Sequence, residues 1–385
     1  MTNLITSRPP DSLADFAREL TRRLASSEAA GFMPWSEAEF GDWAWRLHRL
    51  QSVTNPPYRA WLNAQSLPAG PADDWRCIPV VPTQAFQALE LTSLTPAERT
   101  GWFQSSGTTG QVRSRHFQGT HSLEMYRASA RPWFRVHLLP GLSEGEGARR
   151  CRFFGLMPPV EACPHSSLVH MLADATEHFG APGSEFVGKV GPAGDWELDG
   201  QWARERLEVV SGSGHPVLVV GTAFQFVQFT DAAREGGWQL TLPAGSRVME
   251  TGGYKGRSRE LSKAELHAAI RDQLRLPEAS IVTEYGMSEL SSQAYDRVVA
   301  GPEAMPGMAR RLRFPPWCRA TVVDPETGRE VPEGRVGLLR VMDLANVWSV
   351  AGIQTSDLAR REGDGLELLG RSSGAEPRGC SLMTR

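Results

Sequence analysis

The chain has few cysteines, and none fall in patterns that make cysteine structural. Cys77, Cys151, Cys163, Cys318 and Cys380 are widely spaced, odd in number and form no CxxC pair. This excludes a disulfide framework and a structural zinc site. An excess of one charge is also missing. The 41 Lys and Arg and 44 Asp and Glu leave a net charge of −3, mixed along the chain, so there is no electrostatic case for nucleic acid or for an anionic membrane surface. No apolar run reaches the length of a membrane span. The first ten residues lack the charged-then-apolar pattern of a secretion signal, so a cytoplasmic location is expected. Neither a Walker loop nor a dinucleotide fingerprint is present.

What is present suits a large soluble core. The 385 residues are 41% hydrophobic and 22% charged, with 38 glycines and 27 prolines, which implies many turns around a mixed α/β body of one or two domains. Residues 1–75 read as a helical region. Leu13, Phe16, Leu20 and Leu24 recur at helical spacing, and a second helix opens at Ser36 with Glu39 at capping-box distance. Ile78-Pro79-Val80-Val81-Pro82 reads as a linker into a core spanning 76–345. Short apolar runs there (Phe153 to Met157, Val217 to Val220, Arg247 to Met249, Ile281 to Thr283) alternate with helical stretches such as Ser262 to Leu274. That alternation predicts a sheet covered on both faces, with ligands at the carboxyl ends of its strands. Beyond about residue 320 the pattern turns to hairpins, and 346–385 reads as a short hairpin and tail.

Four motifs carry candidate chemistry. Ser105-Ser106-Gly107-Thr108-Thr109-Gly110 packs two glycines and four hydroxyls into six residues, which lets backbone N–H and side-chain O–H groups curl around a polyphosphate such as that of ATP. A Ser/Thr-rich surface turn has the same composition. Glu250 to Arg257 puts Gly252 and Gly253 where a flat ring could approach the backbone, with Lys255 and Arg257 able to meet phosphate or carboxylate; a glycine turn with two solvated cations is the alternative. In Thr283-Glu284-Tyr285-Gly286-Met287-Ser288-Glu289, an aromatic ring beside a glycine can face adenine, and a hydroxyl and a carboxylate can hold Mg²⁺. Glu289 alone would read as a surface acid. Thr355-Ser356-Asp357-Leu358, followed by Gly370-Arg371, offers a carboxylate for ribose hydroxyls, or simply an Asp in a turn.

The order of these motifs resembles that of the adenylate-forming superfamily of acyl-CoA ligases, luciferases and peptide-synthetase adenylation domains. The chain is similar, more closely, to the acyl-protein synthetases, the LuxE-type fatty acid ligases. The segments that carry this likeness are Ile78 to Pro82, Ser105 to Gly110 with Ser114-Arg115-His116, Pro164-His165-Ser166-Ser167-Leu168, Glu250 to Arg257, and Gly370-Arg371 to Gly379-Cys380-Ser381-Leu382. The resemblance implies the α/β large-domain fold of adenylate-forming enzymes, with layered sheets flanked by helices. It also implies ATP and Mg²⁺ as cofactors and a carboxylic acid, fatty in kind by family analogy, as substrate. Ser105 to Gly110 would hold the phosphates, and Gly252, Gly253, Tyr285 and Gly286 would line the adenine. Ser288 and Glu289 would place Mg²⁺, and Asp357 and Arg371 would bind ribose.

Relatives continue past the Gly-Arg hinge into a lid domain with a catalytic lysine. This sequence stops 14 residues after Arg371, so most of that lid is expected to be lacking. Lys255, Arg257, Arg115 and His116 are then the candidates to stabilise developing phosphate charge. The family route moves the acyl group from AMP to a cysteine near the end, here Cys380, whose pKa Arg378 and Arg371 would lower. An incidental cysteine in a frayed tail is the plain alternative. The implied acceptor is a partner such as an acyl reductase, or else CoA or a carrier protein. A non-catalytic acyl- or nucleotide-binding module is the remaining rival.

Overall fold

Helices open the chain because apolar residues recur there every three to four positions behind good caps. The computed structural model describes residues 12–65, 74–105, 112–142, 151–192, 194–252, 261–301 and 308–372. Helix α1 (Leu13–Ala29) starts at Ser12, whose hydroxyl accepts from Asp15 N, and α2 (Glu37–Thr54) at Ser36, which accepts from Glu39 N. The capping box expected at Ser36 is half formed, because the Glu39 carboxylate turns to Arg23 at 2.6 Å instead. Helix α3 (Pro56–Ala64) follows with proline in its first turn, where no N–H is needed. Phe16, Leu20, Leu24, Phe40 and Leu47 share one core with Phe134, Phe153 and Leu218. The buried Gln51 seals that join. Its amide donates to Asn346 O (2.7 Å) and Val347 O (3.1 Å) and accepts from Ala351 N (3.1 Å).

The segment Ile78–Pro82, expected as a linker, is instead partly a sheet edge. Its end forms β1 (Val81–Pro82), which runs parallel to Ile353–Gln354. An edge tolerates proline because the outer side of the strand has no ladder bond to lose. Helix α4 (Ala85–Ala88) leads to the antiparallel pair β2 (Gly101–Gln104) and β3 (Arg115–Gln118), then to α5 (Thr120–Leu138).

The alternating region folds as read: β4 (Arg152–Gly155), α6 (Ser167–Phe179), β5 (Glu185–Phe186), the small pair β6 (Lys189–Val190) and β7 (Trp196–Glu197), α7 (Gly200–Ser211), β8 (Val217–Thr222), α8 (Ala223–Gly236), β9 (Arg247–Thr251), α9 (Lys263–Leu274), β10 (Ile281–Tyr285) and β11 (Ala294–Tyr295). The main sheet has the order β11-β10-β9-β8-β4-β5 and is parallel except at β11. Successive strand residues serve opposite cores. Phe153, Leu218, Val220, Met249 and Val282 pack on one side, and Phe154, Val219, Val248 and Ile281 on the other. Both faces are therefore covered, and continuous apolar runs result. The capping box expected at the start of α9 is complete, with Ser262 and Glu265 each bonding the other's backbone N–H.

The second sheet contains β12 (Cys318–Val323), β13 (Val336–Asp343), β14 (Gly352–Glu362) and β15 (Gly365–Arg371), in the order β1-β14-β13-β12 with β15 on β14. The turn read at 324–328 is there. Asp324 accepts from the N–H groups of Glu326 and Thr327, and Gly328 takes φ +65°, a conformation that favours glycine. Among the described residues no helix is long and apolar enough to cross a membrane.

Candidate active site

The carboxyl ends of β9 and β10 open into a cleft of about 290 Å³, closed on the far side by β14 and β15 and bounded by α6. Ser105, Gly252, Tyr285, Gly286, Ser288, Glu289, Asp357 and Arg371 all line it. These are the sequence candidates that fall within the described residues, apart from Arg115 and His116. Ser106, Gly107, Thr108, Thr109, Gly110, Gly253, Lys255, Arg257 and Cys380 lie outside the described residues.

Asp357 sits within β14, not in the turn that was its plain alternative. It is opposite Arg371 in register. Arg371 Nε donates to Asp357 Oδ1 at 2.9 Å, and the Tyr285 hydroxyl donates to Oδ2 at 2.7 Å. A carboxylate has about four lone-pair sites, so each oxygen still has room for one further donor. Arg371 Nη1 is buried without a partner among the described residues.

Glu289 is fully buried, on the turn after β10. Ser114 Oγ donates to its Oε1 at 2.7 Å and Ser288 Oγ to its Oε2 at 2.9 Å. Asn346 Nδ2 holds its backbone carbonyl at 2.8 Å. Asn346 is anchored in turn by Ser291 Oγ (2.6 Å) beside the buried Asp343. That carboxylate accepts from Ser291 N, Ser292 N, Ser292 Oγ and Ala345 N at 2.7–3.0 Å. Burial pushes the Asp343 carboxyl up, against those bonds. The turn that presents Ser288 and Glu289 is thus fixed from behind.

His116 does not line the cleft. It is buried behind it, with Nδ1 2.8 Å from Ser288 O and its ring edge-on to Phe86. Burial lowers its pKa, which favours neutral imidazole donating to that carbonyl. The side chain therefore braces the Ser288 turn from behind the wall. Arg115 lies half-exposed against Glu90 at 3.5 Å.

The segment Pro164 to Leu168 is accounted for by structure. His165 stacks on Trp102 with ring centroids 4.1 Å apart, Ser166 caps α6 by accepting from Val169 N, and Ser167 and Leu168 reach the cleft. The cysteines within the described residues are free. Burial pushes Cys151 up to about 12 and Cys163 up to about 11, away from thiolate chemistry.

Among the cleft residues that had no role in the sequence reading are Gln104, Gln293 and Glu284. Glu284 lies inside a quoted motif, and the available signal was an acid within the apolar run of β10. Its carboxyl is raised to about 7 by burial, helped by the nearby Glu250 and opposed by a hydrogen bond from Thr251. It rests under Gly286, where an added Cβ would lie 2.5 Å from Glu284 Oε1.

The residues present suit a magnesium ion. Glu289 and Ser288 are hard oxygen donors, and no group of three or more His, Cys, Asp or Glu fit to hold a metal occurs among the described residues.

A sequence model described as acyl-protein synthetase, LuxE, matches residues 193–385. The chain is 23% identical over 325 residues to the long-chain-fatty-acid–luciferin-component ligase of Aliivibrio fischeri, covering 79% of this chain and 77% of that protein. Its fold is similar to that of 2-hydroxyisobutyryl-CoA ligase solved with 2-HIB-AMP and CoA, with a TM-score of 0.59 and 14% identity over 87% of this chain and 68% of that one. Against ATP-bound MatB from Rhodopseudomonas palustris the TM-score is 0.48 at 15% identity, over 72% of this chain and 49% of the other, so the chain spans about half of that protein's length.

Proposed function

This chain belongs to the acyl-protein synthetase, LuxE family, and from that premise we propose that its cleft uses ATP to activate a carboxylic acid and passes the acyl group to Cys380. The observation that carries the reading is the meeting of Tyr285, Ser288 and Glu289, Asp357 and Arg371 in one cleft, from segments far apart in the chain. In the first step a carboxylate oxygen attacks the α-phosphorus of ATP. The bond to the β-phosphate oxygen breaks and pyrophosphate leaves, giving acyl-AMP. In the second step the Cys380 thiolate attacks the acyl carbonyl carbon, the bond to the AMP oxygen breaks, and a thioester remains.

Each residue has a share in this scheme. Tyr285, the open backbone at Gly252 and the side-chain-free Gly286 flank the adenine, and Gly253 would line it by family likeness. Asp357 accepts from the ribose hydroxyls through its remaining lone pairs, and the buried Arg371 Nη1 offers a donor nearby. Ser105 to Gly110 cradle the phosphates. Glu289 and Ser288 would hold magnesium, whose charge would offset that of the polyphosphate. Lys255 and Arg257 supply cationic charge for the pentacovalent phosphorus. The acid is fatty by likeness to the Aliivibrio relative's printed name, and the onward acceptor is a partner protein such as an acyl reductase in a cytoplasmic setting.

The test is carboxylate-dependent ATP–pyrophosphate exchange across an acid panel, with intact-mass detection of a covalent acyl adduct. Cys380→Ser should keep exchange and lose the adduct. Undiminished overall transfer in that variant would assign the acceptor to CoA or a carrier protein. No exchange with any acid would make the cleft a binding module.

A further inference from the structure

We propose that the acid taken by this cleft carries a hydrogen-bond donor, a hydroxyl or an amine, on its acyl part; the inference rests on the adenylation reading above. It comes from two side-chain amides at the end of the cleft bounded by α5 and α6. Gln104 and Gln293 both line it and are only 7% and 5% exposed. Each has one polar atom buried without a partner among the described residues: Gln104 Nε2 and Gln293 Oε1.

Their orientations follow from their neighbours. Tyr126 gives its hydroxyl proton to Ser167 O at 3.3 Å and accepts from Gln293 Nε2 at 3.3 Å. The oxygen of Gln293 is therefore the open atom. Trp102 Nε1 can only donate, and it does so to Gln104 Oε1 at 3.4 Å. The nitrogen of Gln104 is therefore the open atom there. A buried donor and a buried acceptor left unmade are costly, and such groups are rarely left without a partner.

A substrate carboxylate could satisfy the open Gln104 nitrogen. It could not satisfy the Gln293 oxygen, because it has no proton to give, and a plain hydrocarbon chain could satisfy neither. An O–H or N–H on the acyl part meets the acceptor. Glu284, 4% exposed beneath Gly286 and lining the same cleft, adds a carboxyl that can accept from the same donor. Gln293 bonds to the α5–α6 wall, whereas the Asp357–Arg371 pair belongs to the β14–β15 wall opposite. The adenine amine of ATP is the competing donor, and the experiment separates it.

The experiment measures pyrophosphate release by the full-length protein with three matched acids of equal chain length: unsubstituted, hydroxylated and aminated. The expected result is a kcat/KM at least about tenfold higher for the hydroxylated or the aminated acid, since a site built around a substrate hydrogen bond discriminates strongly against an analogue lacking it. The ratio should collapse toward one in Gln293→Leu, and independently fall in Gln104→Met, with folding checked by circular dichroism. Equal or better use of the unsubstituted acid would overturn the proposal. So would a Gln293→Leu protein that keeps the ratio and instead raises KM for ATP but not for a triphosphate lacking the purine amine. If no acid is turned over, the adenylation reading fails by itself. Calorimetric binding of the same three acids to wild type and Gln293→Leu then decides this proposal, tighter wild-type binding of a donor-bearing acid supporting it and equal binding refuting it.

Discussion

Tyr285 at the end of β10 and Asp357 within β14 are 72 residues apart in sequence, yet their side chains are joined by a 2.7 Å hydrogen bond that links the two sheets across the cleft. The same carboxylate is held at 2.9 Å by Arg371. Removing the tyrosine hydroxyl alone, in Tyr285→Phe, should weaken nucleotide binding by about ten- to a hundredfold, the worth of one hydrogen bond to a charged partner. Asp357→Asn removes the charge that Arg371 pairs with and should weaken binding by about a hundredfold. Arg371→Lys should resemble Asp357→Asn more than wild type, because an ammonium does not reproduce the guanidinium fork. Titration calorimetry with ATP measures all three, and equal affinity in wild type and Asp357→Asn would remove Asp357 from the nucleotide site.

Glu284 makes stability depend on pH. Its carboxyl, ordinarily near 4.5, is held protonated in the fold up to about 7 because it is buried. Between those values the folded chain binds more protons than the unfolded one, so this contribution is complete below about 4.5 and is lost as pH rises through about 7. Its ceiling is about 3 kcal/mol. Glu284→Gln keeps the shape and removes the titration. Its denaturant-derived stability relative to wild type should therefore climb between pH 4.5 and 7 and be level above. A difference that stays flat across that range would show that Glu284 ionises as freely in the fold as outside it.

Asp343 supports the Glu289 turn without touching a ligand. Asp343→Ala strips the partner from the N–H groups of Ser291, Ser292 and Ala345 and from the Ser292 hydroxyl. A loss of about 3–5 kcal/mol in urea unfolding is expected, from several buried donors left open at once. Asp343→Asn keeps the shape and one acceptor oxygen and should recover part of it. A change in exchange rate at saturating magnesium in Asp343→Asn, with KM for the acid unaltered, would distinguish positioning of Glu289 from plain scaffolding.

Local patterns gave the sequence reading its successes. The apolar runs of β4, β8, β9 and β10 announced a doubly covered sheet because both faces are buried, and Ser262 with Glu265 marked the start of α9 because both halves of that box form. What the sequence withheld depends on contacts between distant segments. Val81 and Pro82 read as a linker because their strand identity exists only beside Ile353 and Gln354. His116 read as a cation near phosphate, and nothing local shows that burial behind Ser288 favours its neutral form. Gln104 and Gln293 are unremarkable in composition, and only the orientation imposed by Trp102 and Tyr126 gives them a chemical role. Glu289 was singled out from its motif, but the hydrogen bond it accepts from Ser114, 175 residues away, was not legible there.

Gln51 has a consequence for how the protein can be shortened. A single amide on the second helix grips Asn346 O, Val347 O and Ala351 N, and Asn346 also clasps the main chain at Glu289. Cutting away everything before α3 would strip those three backbone groups of their partner and leave the turn that presents the acidic side chain unmoored. The amino-terminal helices are in this sense a tether for the wall that presents Glu289, and any fragment made to isolate the cleft should begin ahead of them.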